Sequence, residues 1–508
     1  MASDTPTVKQ FYKDKTIFIT GASGFMGKVL VEKLLYSCSD LKAIYIMLRP
    51  KRGKVPKSRV EDMFKLPLFQ RLRDEKPEMF KKLHAFQGDV TFDELGLSTE
   101  DTKEITANTN IVFHLAATLR LEANLKDAIE MNTTGTKRVI DLARKMPNLE
   151  CFIYSSTAFC CADQDILLEK VYDCPHSPYD LMRCAEWMDA KTLDQITPNL
   201  IHPHPNTYTY SKRLAEILVR DYFKELPVVI VRPSIVTPAV FSPLPGWVDS
   251  LNGPIGIMVG AGKGVIRSMV CNKDYDAEVI PVDVAINGLI TAVWKESLFG
   301  GTKAKDIPVY NITCPETKRT SWGTVLNMGK QISREYPFEA GVWYPDGDIT
   351  TSRLVYTFNS IFFHWLPAYF IDFLMFIFGQ KRFMVRIQTR VYQGLELLSF
   401  FTTRIWDFKS PNYASLQNTL SEDDKKDFNM YTDDVDVYDY LKTVILGGRQ
   451  FCLKEPLSSL PKARMQLKAL YVLDRVTKLV LFCLFAWWVL KCFGWTEPIK
   501  DYFRTSRV

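Results

Sequence analysis

The 11 cysteines include no CxxC pair, and only Cys160 and Cys161 are neighbours. Without thiols at redox or zinc spacing, free cysteines in a reducing compartment are expected. His202 and His204 alternate in a proline-rich stretch, but no cysteine or carboxylate stands beside them at ligand spacing, so no metal is expected. Lysine and arginine form no block. A net charge of +6 spread over 508 residues, with no RNA- or DNA-binding motif, gives no footing for nucleic acid. Met1 to Lys15 lack the apolar core of a secretory signal, which places the folded part on the cytosolic side of any membrane it touches. Finally, no aspartate or glutamate occurs from Leu41 to Lys57, an absence that bears on cofactor choice below.

What is present is a large apolar content, 47% hydrophobic against 24% charged residues, enough for two or three folded units. Short apolar runs alternate with helical stretches. Thr16–Thr20, Ala43–Leu48, His84–Val90, Ile111–Ala116, Cys151–Ser155 and Val228–Val231 read as strands, and Gly27–Tyr36 as an amphipathic helix. Continuous apolar strands suit a parallel sheet covered on both faces, so an α/β fold with a doubly wound parallel sheet is expected over residues 1–340. A smaller helical domain is expected over 355–455, opening on the apolar, aromatic run Asn359–Gly379, which suits either a kinked core helix or contact with an acyl chain or bilayer. Leu479–Leu490 is twelve apolar residues in a row, and 476–495 reads as a membrane anchor flanked by Arg475, Lys478 and Lys491.

Thr20 to Gly27 read TGASGFMG between a strand and a helix. Gly21 allows a tight turn, Gly24 lets backbone approach a pyrophosphate, and Gly27 lets helix pack on strand. Ser23, Phe25 and Met26 complete the loop, and the helix N-terminus faces the phosphates. An NAD site would need an acidic residue after the second strand. Arg49, Lys51, Arg52 and Lys54 stand there instead, a set that suits the 2′-phosphate of NADPH. Asp89 closes the third strand within reach of an adenine, and Ala116 and Ala117 close the fourth with room for a cofactor.

Tyr208 and Lys212 are four apart in a helical run and share one face. An ammonium beside a phenol is expected to lower its pKa. The fifth strand ends in Ser155-Ser156-Thr157; Thr157 is the expected partner of a substrate carbonyl, with Ser156 its rival.

The glycine motif, the hydroxyl-rich strand end and YxxxK together resemble the extended short-chain dehydrogenase/reductase superfamily. TGASGFMGKVLVEKLL, YIMLRPKRGK, YTYSKRLAE, VRPSIV, PGWVDSLNGP, GAGKGVIR and IPVDVAIN are similar to animal fatty acyl-CoA reductases, as is the region of about 355–455. The resemblance implies reduction of long-chain acyl-CoA to fatty alcohol by two NADPH-dependent steps. It gives Tyr208 as proton donor, Lys212 as its partner, Thr157 as the polarising hydroxyl and Arg49 as the 2′-phosphate ligand. It also implies a membrane location, endoplasmic reticulum or peroxisome. The spacing of Thr157 and Tyr208 exceeds that of simple superfamily members, and the intervening 160–205 is expected to build the substrate mouth. A membrane-bound hydroxysteroid-type dehydrogenase would share Tyr208 and Lys212 without needing 355–455. A non-catalytic nucleotide-binding scaffold would have no reason to keep Thr157, Tyr208 and Lys212 together.

Overall fold

The computed structural model describes residues 5–50, 53, 55–300 and 305–492. Its centre is a seven-stranded parallel sheet: β1 Thr16–Thr20, β2 Ala43–Leu48, β3 Leu83–Gln87, β4 Ile111–His114, β5 Cys151–Ser155, β6 Val228–Pro233 and β7 Val309–Ile312, in spatial order β7-β6-β5-β4-β1-β2-β3. β1, β2, β4, β5 and β6 are buried throughout. Alternation along β2 shows why they are apolar on both sides. Ile44, Ile46 and Leu48 enter one core, while Ala43, Tyr45 and Met47 enter the other.

Six strands lie where the apolar runs place them. The seventh, β7, has no such signature. It is four residues long, carries the buried Asn311, and sits at the sheet edge on β6. Asn311 is satisfied by tertiary partners, donating from Nδ2 to the carbonyls of Leu167 at 3.1 Å and Lys409 at 2.8 Å.

The strand order reverses between β1 and β4, which opens a crevice outside their carboxyl ends. The glycine loop, the segment after β4 and the segment after β5 all reach this edge.

Beyond 350 the chain is mainly helical, with Arg353–Ile377, Met384–Thr402 and a final helix Leu460–Cys492 as its longest elements. Tyr413, Leu416, Leu420, Phe428 and Met430 join the same core as β1 and β2. Asp407–Phe408 pairs with Ile166–Leu167, joining this region to the segment that follows β5. Among the described residues, Arg353–Ile377 is the one helix long and apolar enough to cross a membrane, with a mean hydropathy of 1.5. The expected terminal anchor is described as far as Cys492, and Trp495 lies outside the described residues.

Candidate active site

The glycine loop is built by close approach. Gly21 has φ of +78°, and a Cβ there would lie 2.7 Å from the Ala116 nitrogen. A Cβ on Gly27 would lie 2.3 Å from the Gly21 carbonyl oxygen. Gly24 caps the helix Phe25–Ser37 with no side-chain bond, and no acidic residue stands in the first turn. Its leading N–H groups are therefore available to an anion. Ser23 is exposed beside them. Phe25 stacks on Trp247 at 5.5 Å and Met26 leans on the core, so both offer backbone rather than side chain to the crevice. This cradle, too tight for a Cβ at Gly21 and Gly27, fits a dinucleotide pyrophosphate.

At the end of β2, Arg49 is largely exposed, and its Nε lies 3.9 Å from Asp89 Oδ2. The Arg59 guanidinium donates to the Arg49 carbonyl at 2.5 Å, adding a cation the sequence reading passed over. Lys51, Arg52 and Lys54 lie outside the described residues. Asp89 Oδ1 accepts from Thr91 N at 3.1 Å, closing the turn after β3. Ala116 N donates to Thr20 Oγ1 at 3.3 Å and thereby packs the end of β4 on β1, with Ala117 partly exposed next to it.

Tyr208 and Lys212 lie on the helix Thr207–Asp221, whose start is fixed by Asn206: its side chain accepts from Thr209 N at 3.0 Å. The Thr157 hydroxyl lies near enough to the Tyr208 phenol to pull its pKa down. Thr157 Oγ1 also accepts from Phe159 N at 3.3 Å, which fixes its rotamer. Ser156 Oγ is buried and has no hydrogen-bond partner among the described residues. The two candidate hydroxyls are thus separated by geometry, since Thr157 meets Tyr208 and Ser156 does not.

Lys212 Nζ donates to the Ser155 carbonyl at 2.6 Å and lies 4.8 Å from the centre of the Tyr154 ring. Burial pushes its ammonium down to about 7, while Glu216, one turn on, pulls the other way. The expected lowering of Tyr208 is not found. Burial pushes the phenol up and outweighs the Thr157 hydroxyl, because Lys212 turns to Ser155 instead. Tyr208 is therefore a protonated phenol at neutral pH, the form that gives a proton.

Behind these groups lies a polar frame that sequence reasoning missed. His114 ends β4 with Nδ1 at 2.6 Å from Thr20 Oγ1 and Nε2 at 3.0 Å from Thr136 Oγ1. Burial holds this imidazole down at about 3, so it is neutral. Asn132 sits on the π-helical turn Glu130–Thr134 and donates from Nδ2 to Ser211 Oγ at 2.9 Å, while its Oδ1 accepts from Thr118 N at 2.8 Å. The run MNTTGT carried the signal, a polar stretch in mid-helix. Arg232 on β6 and Glu216 on the Tyr208 helix form a fully buried pair at 2.6 Å, which locks that helix to the sheet. The segment between Thr157 and Tyr208 forms the helices Pro178–Trp187 and Ala190–Ile201, which pack with Leu125, Ile129, Tyr210 and Leu214.

With this geometry established, comparison with known proteins identifies the chain. Residues 19–289 match the NAD-binding model and residues 363–455 the Sterile model of the family described as male sterility protein. Fatty acyl-CoA reductase 1 of Mus musculus is 37% identical over 464 residues, covering 91% of this chain and 90% of the relative. Fatty acyl-CoA reductase 2 of Bos taurus is 36% identical over 486 residues, covering 95% and 93%. The chain belongs to the fatty acyl-CoA reductase family.

The reductase shares its fold with the reductase domain of a Mycobacterium tuberculosis nonribosomal peptide synthetase (TM-score 0.55, 14% identity, 88% of this chain and 93% of that one). The terminal R domain of the myxalamid pathway is similar (TM-score 0.53, 16% identity, 86% and 90%). These likenesses show the extended doubly wound fold. Family membership sets the steroid-type dehydrogenase and the scaffold aside, and its NAD-binding model supports a nicotinamide cofactor.

Proposed function

We propose that this reductase converts long-chain fatty acyl-CoA to the primary alcohol with NADPH, releasing coenzyme A at the first of two reductions. The reading rests on one observation above all. In a member of this family, the phenol of Tyr208 is brought next to the hydroxyl of Thr157, just past the carboxyl end of β5.

Gly21, Gly24 and Gly27 would hold the pyrophosphate, with Ser23, Phe25 and Met26 presenting the first helical turn. Arg49, with Lys51 beyond it, would take the 2′-phosphate; the absence of any acid between Leu41 and Lys57 favours NADPH over NADH. Asp89 would border the adenine, and Ala116 and Ala117 would leave room for the ribose. When bound, NADPH supplies the hydride.

The protein's own groups handle the oxygen. Thr157 hydrogen-bonds the carbonyl and stabilises the charge that develops there. Tyr208, kept protonated by burial, gives its proton to the oxygen that becomes the alcohol. Lys212, its ammonium pushed down to about 7 by burial, is held on the Ser155 carbonyl, two residues before Thr157, and would act as the partner of this pair.

The reading includes a membrane location with the catalytic region facing the cytosol, at the endoplasmic reticulum or peroxisome, and the final helix supports the membrane part of it. From Leu479 to Trp488 its large apolar side chains are at least half exposed. Domains at 1–340 and 355–455 with an anchor at 476–495 complete the reading. The test is product analysis with a long-chain acyl-CoA in detergent. Fatty alcohol with about two NADPH consumed per product is the expected result, as each reduction needs one hydride. Aldehyde alone would limit the reaction to one step, and no NADPH oxidation despite cofactor binding would refute it.

A further inference from the structure

The helix Arg353–Ile377 has two unlike faces. Tyr356, Ser360, His364, Ala368 and Asp372, four residues apart, form a buried stripe along its whole length. Away from them Phe358, Phe362, Leu366, Phe370 and Phe373 are between 47% and 60% exposed. Such a continuous apolar face on a folded domain marks a contact surface.

Three polar side chains of this helix, His364, Asp372 and Arg353, do not oppose contact with lipid, because the protein holds them. His364 Nε2 accepts from Arg267 N at 2.8 Å and Ser268 N at 3.2 Å. The Asp372 carboxylate accepts from the backbone N–H groups of Phe383, Met384 and Val385 at 2.8 to 3.0 Å, capping the next helix and fixing the two as a hairpin. Arg353 pairs with Glu396 at 2.8 Å. Twenty-five residues span roughly 37 Å, enough to cross a bilayer. The buried stripe forbids crossing, since the body packed against it would have to enter the lipid too. The same helix can lie flat, with its aromatic face in the headgroup boundary.

Charge selects the occupant. From 353 to 392 the one carboxylate is the buried Asp372, whereas Lys381, Arg382, Arg386 and Arg390 are exposed beside the apolar face. A second copy of the chain would bring the same cations opposite one another. An anionic phospholipid leaflet would neutralise them. The face is also continuous with the root of the final helix. Arg267, which holds His364 through its backbone, lies 3.6 Å from Asp474 and stacks on Phe363 at 5.1 Å.

We infer that residues 354–378 are a monotopic docking face, which seats the helical region in the plane of a phospholipid leaflet independently of the terminal anchor. The inference adds to the proposed membrane location and rests on it only for orientation. The second arm of the hairpin, Met384–Thr402, ends against Phe159 through Phe401 at 5.4 Å, two residues from Thr157.

Four full-length proteins test this by flotation with vesicles of phosphatidylcholine and phosphatidylserine: wild type, an anchor variant (Leu481→Glu with Phe485→Glu), a face variant (Phe370→Glu with Phe373→Glu), and the two combined. All four positions are exposed, so thermal midpoints should match wild type. The anchor variant should still float, and adding the face substitutions should weaken its partitioning at least about tenfold. Serine in place of glutamate at 370 and 373 should act in the same direction, separating lost apolar contact from added charge. Equal flotation of the anchor and combined variants would overturn the inference. So would a change of oligomeric state in the face variant with unaltered flotation, which would assign the face to a second copy. If the anchor variant floats like wild type, the terminal-anchor reading fails and the docking face stands alone.

Discussion

Replacing Gly27 by alanine tests the cofactor cradle at its tightest point. The new methyl would lie 2.3 Å from the Gly21 oxygen and 2.6 Å from the Ala22 Cα, both backbone atoms, where ordinary contact begins at 3.4 Å. The helix start must withdraw by roughly 1 Å, an overpacking change that costs about 1–3 kcal/mol. The same movement drags the first N–H groups from the pyrophosphate position. Losing one good charge-assisted bond costs about 1.5–3 kcal/mol, or roughly 10- to 100-fold in NADPH affinity. Gly329→Ala is the matched control. It adds the same methyl inside the helix Trp322–Glu335, where nothing lies within 4 Å, and should raise stability by about 0.5–1 kcal/mol. Fluorescence titration with NADPH and chemical unfolding of both variants give the two quantities. If Gly27→Ala binds NADPH as tightly as wild type and unfolds at the same denaturant concentration, the cradle is not as described.

Tyr208→Phe should lower kcat about 10²- to 10⁴-fold while NADPH affinity stays within about twofold; single-turnover rates together with binding titrations would show it. Arg49→Leu should weaken NADPH about tenfold and leave NADH almost unchanged; an equal fall in both would remove the 2′-phosphate assignment. His114 predicts an acid sensitivity. Its folded pKa, about 3, lies below its unfolded value of 6.5, so the unfolded chain takes up a proton that the fold refuses, and stability falls as pH drops from about 6.5 towards 3. In urea unfolding between those limits, His114→Gln should show a slope against pH smaller by about 1.4 kcal/mol per unit.

Much of the fold was legible because burial on both faces leaves a direct trace. Five of the seven strands are short, mainly apolar runs buried throughout, and the glycine loop is readable because a turn with φ of +78° and a Cβ-free approach admits little else. β7 escaped notice because its buried Asn311 is satisfied only by carbonyls of Leu167 and Lys409, far away in sequence. For the same reason the residues around 413–430 read as part of a helical region, although they contribute to the core of the sheet.

The site divides along the same line. Sequence by itself determined which side chains are candidates for the chemistry: Tyr208 and Lys212 share a face because helices repeat every 3.6 residues, and Thr157 follows a strand whose end must face the crevice. Tertiary structure decided how those groups are tuned. It turned Lys212 towards the Ser155 carbonyl, raised Tyr208 by burial, left Ser156 without a partner, and closed His114 between Thr20 and Thr136. It also divided Arg353–Ile377 into a tethered face and a bare one. Local periodicity fixes which residues point together. Proton affinity and exposure depend on what the rest of the chain brings alongside, and that is set by contacts between residues up to hundreds of positions apart.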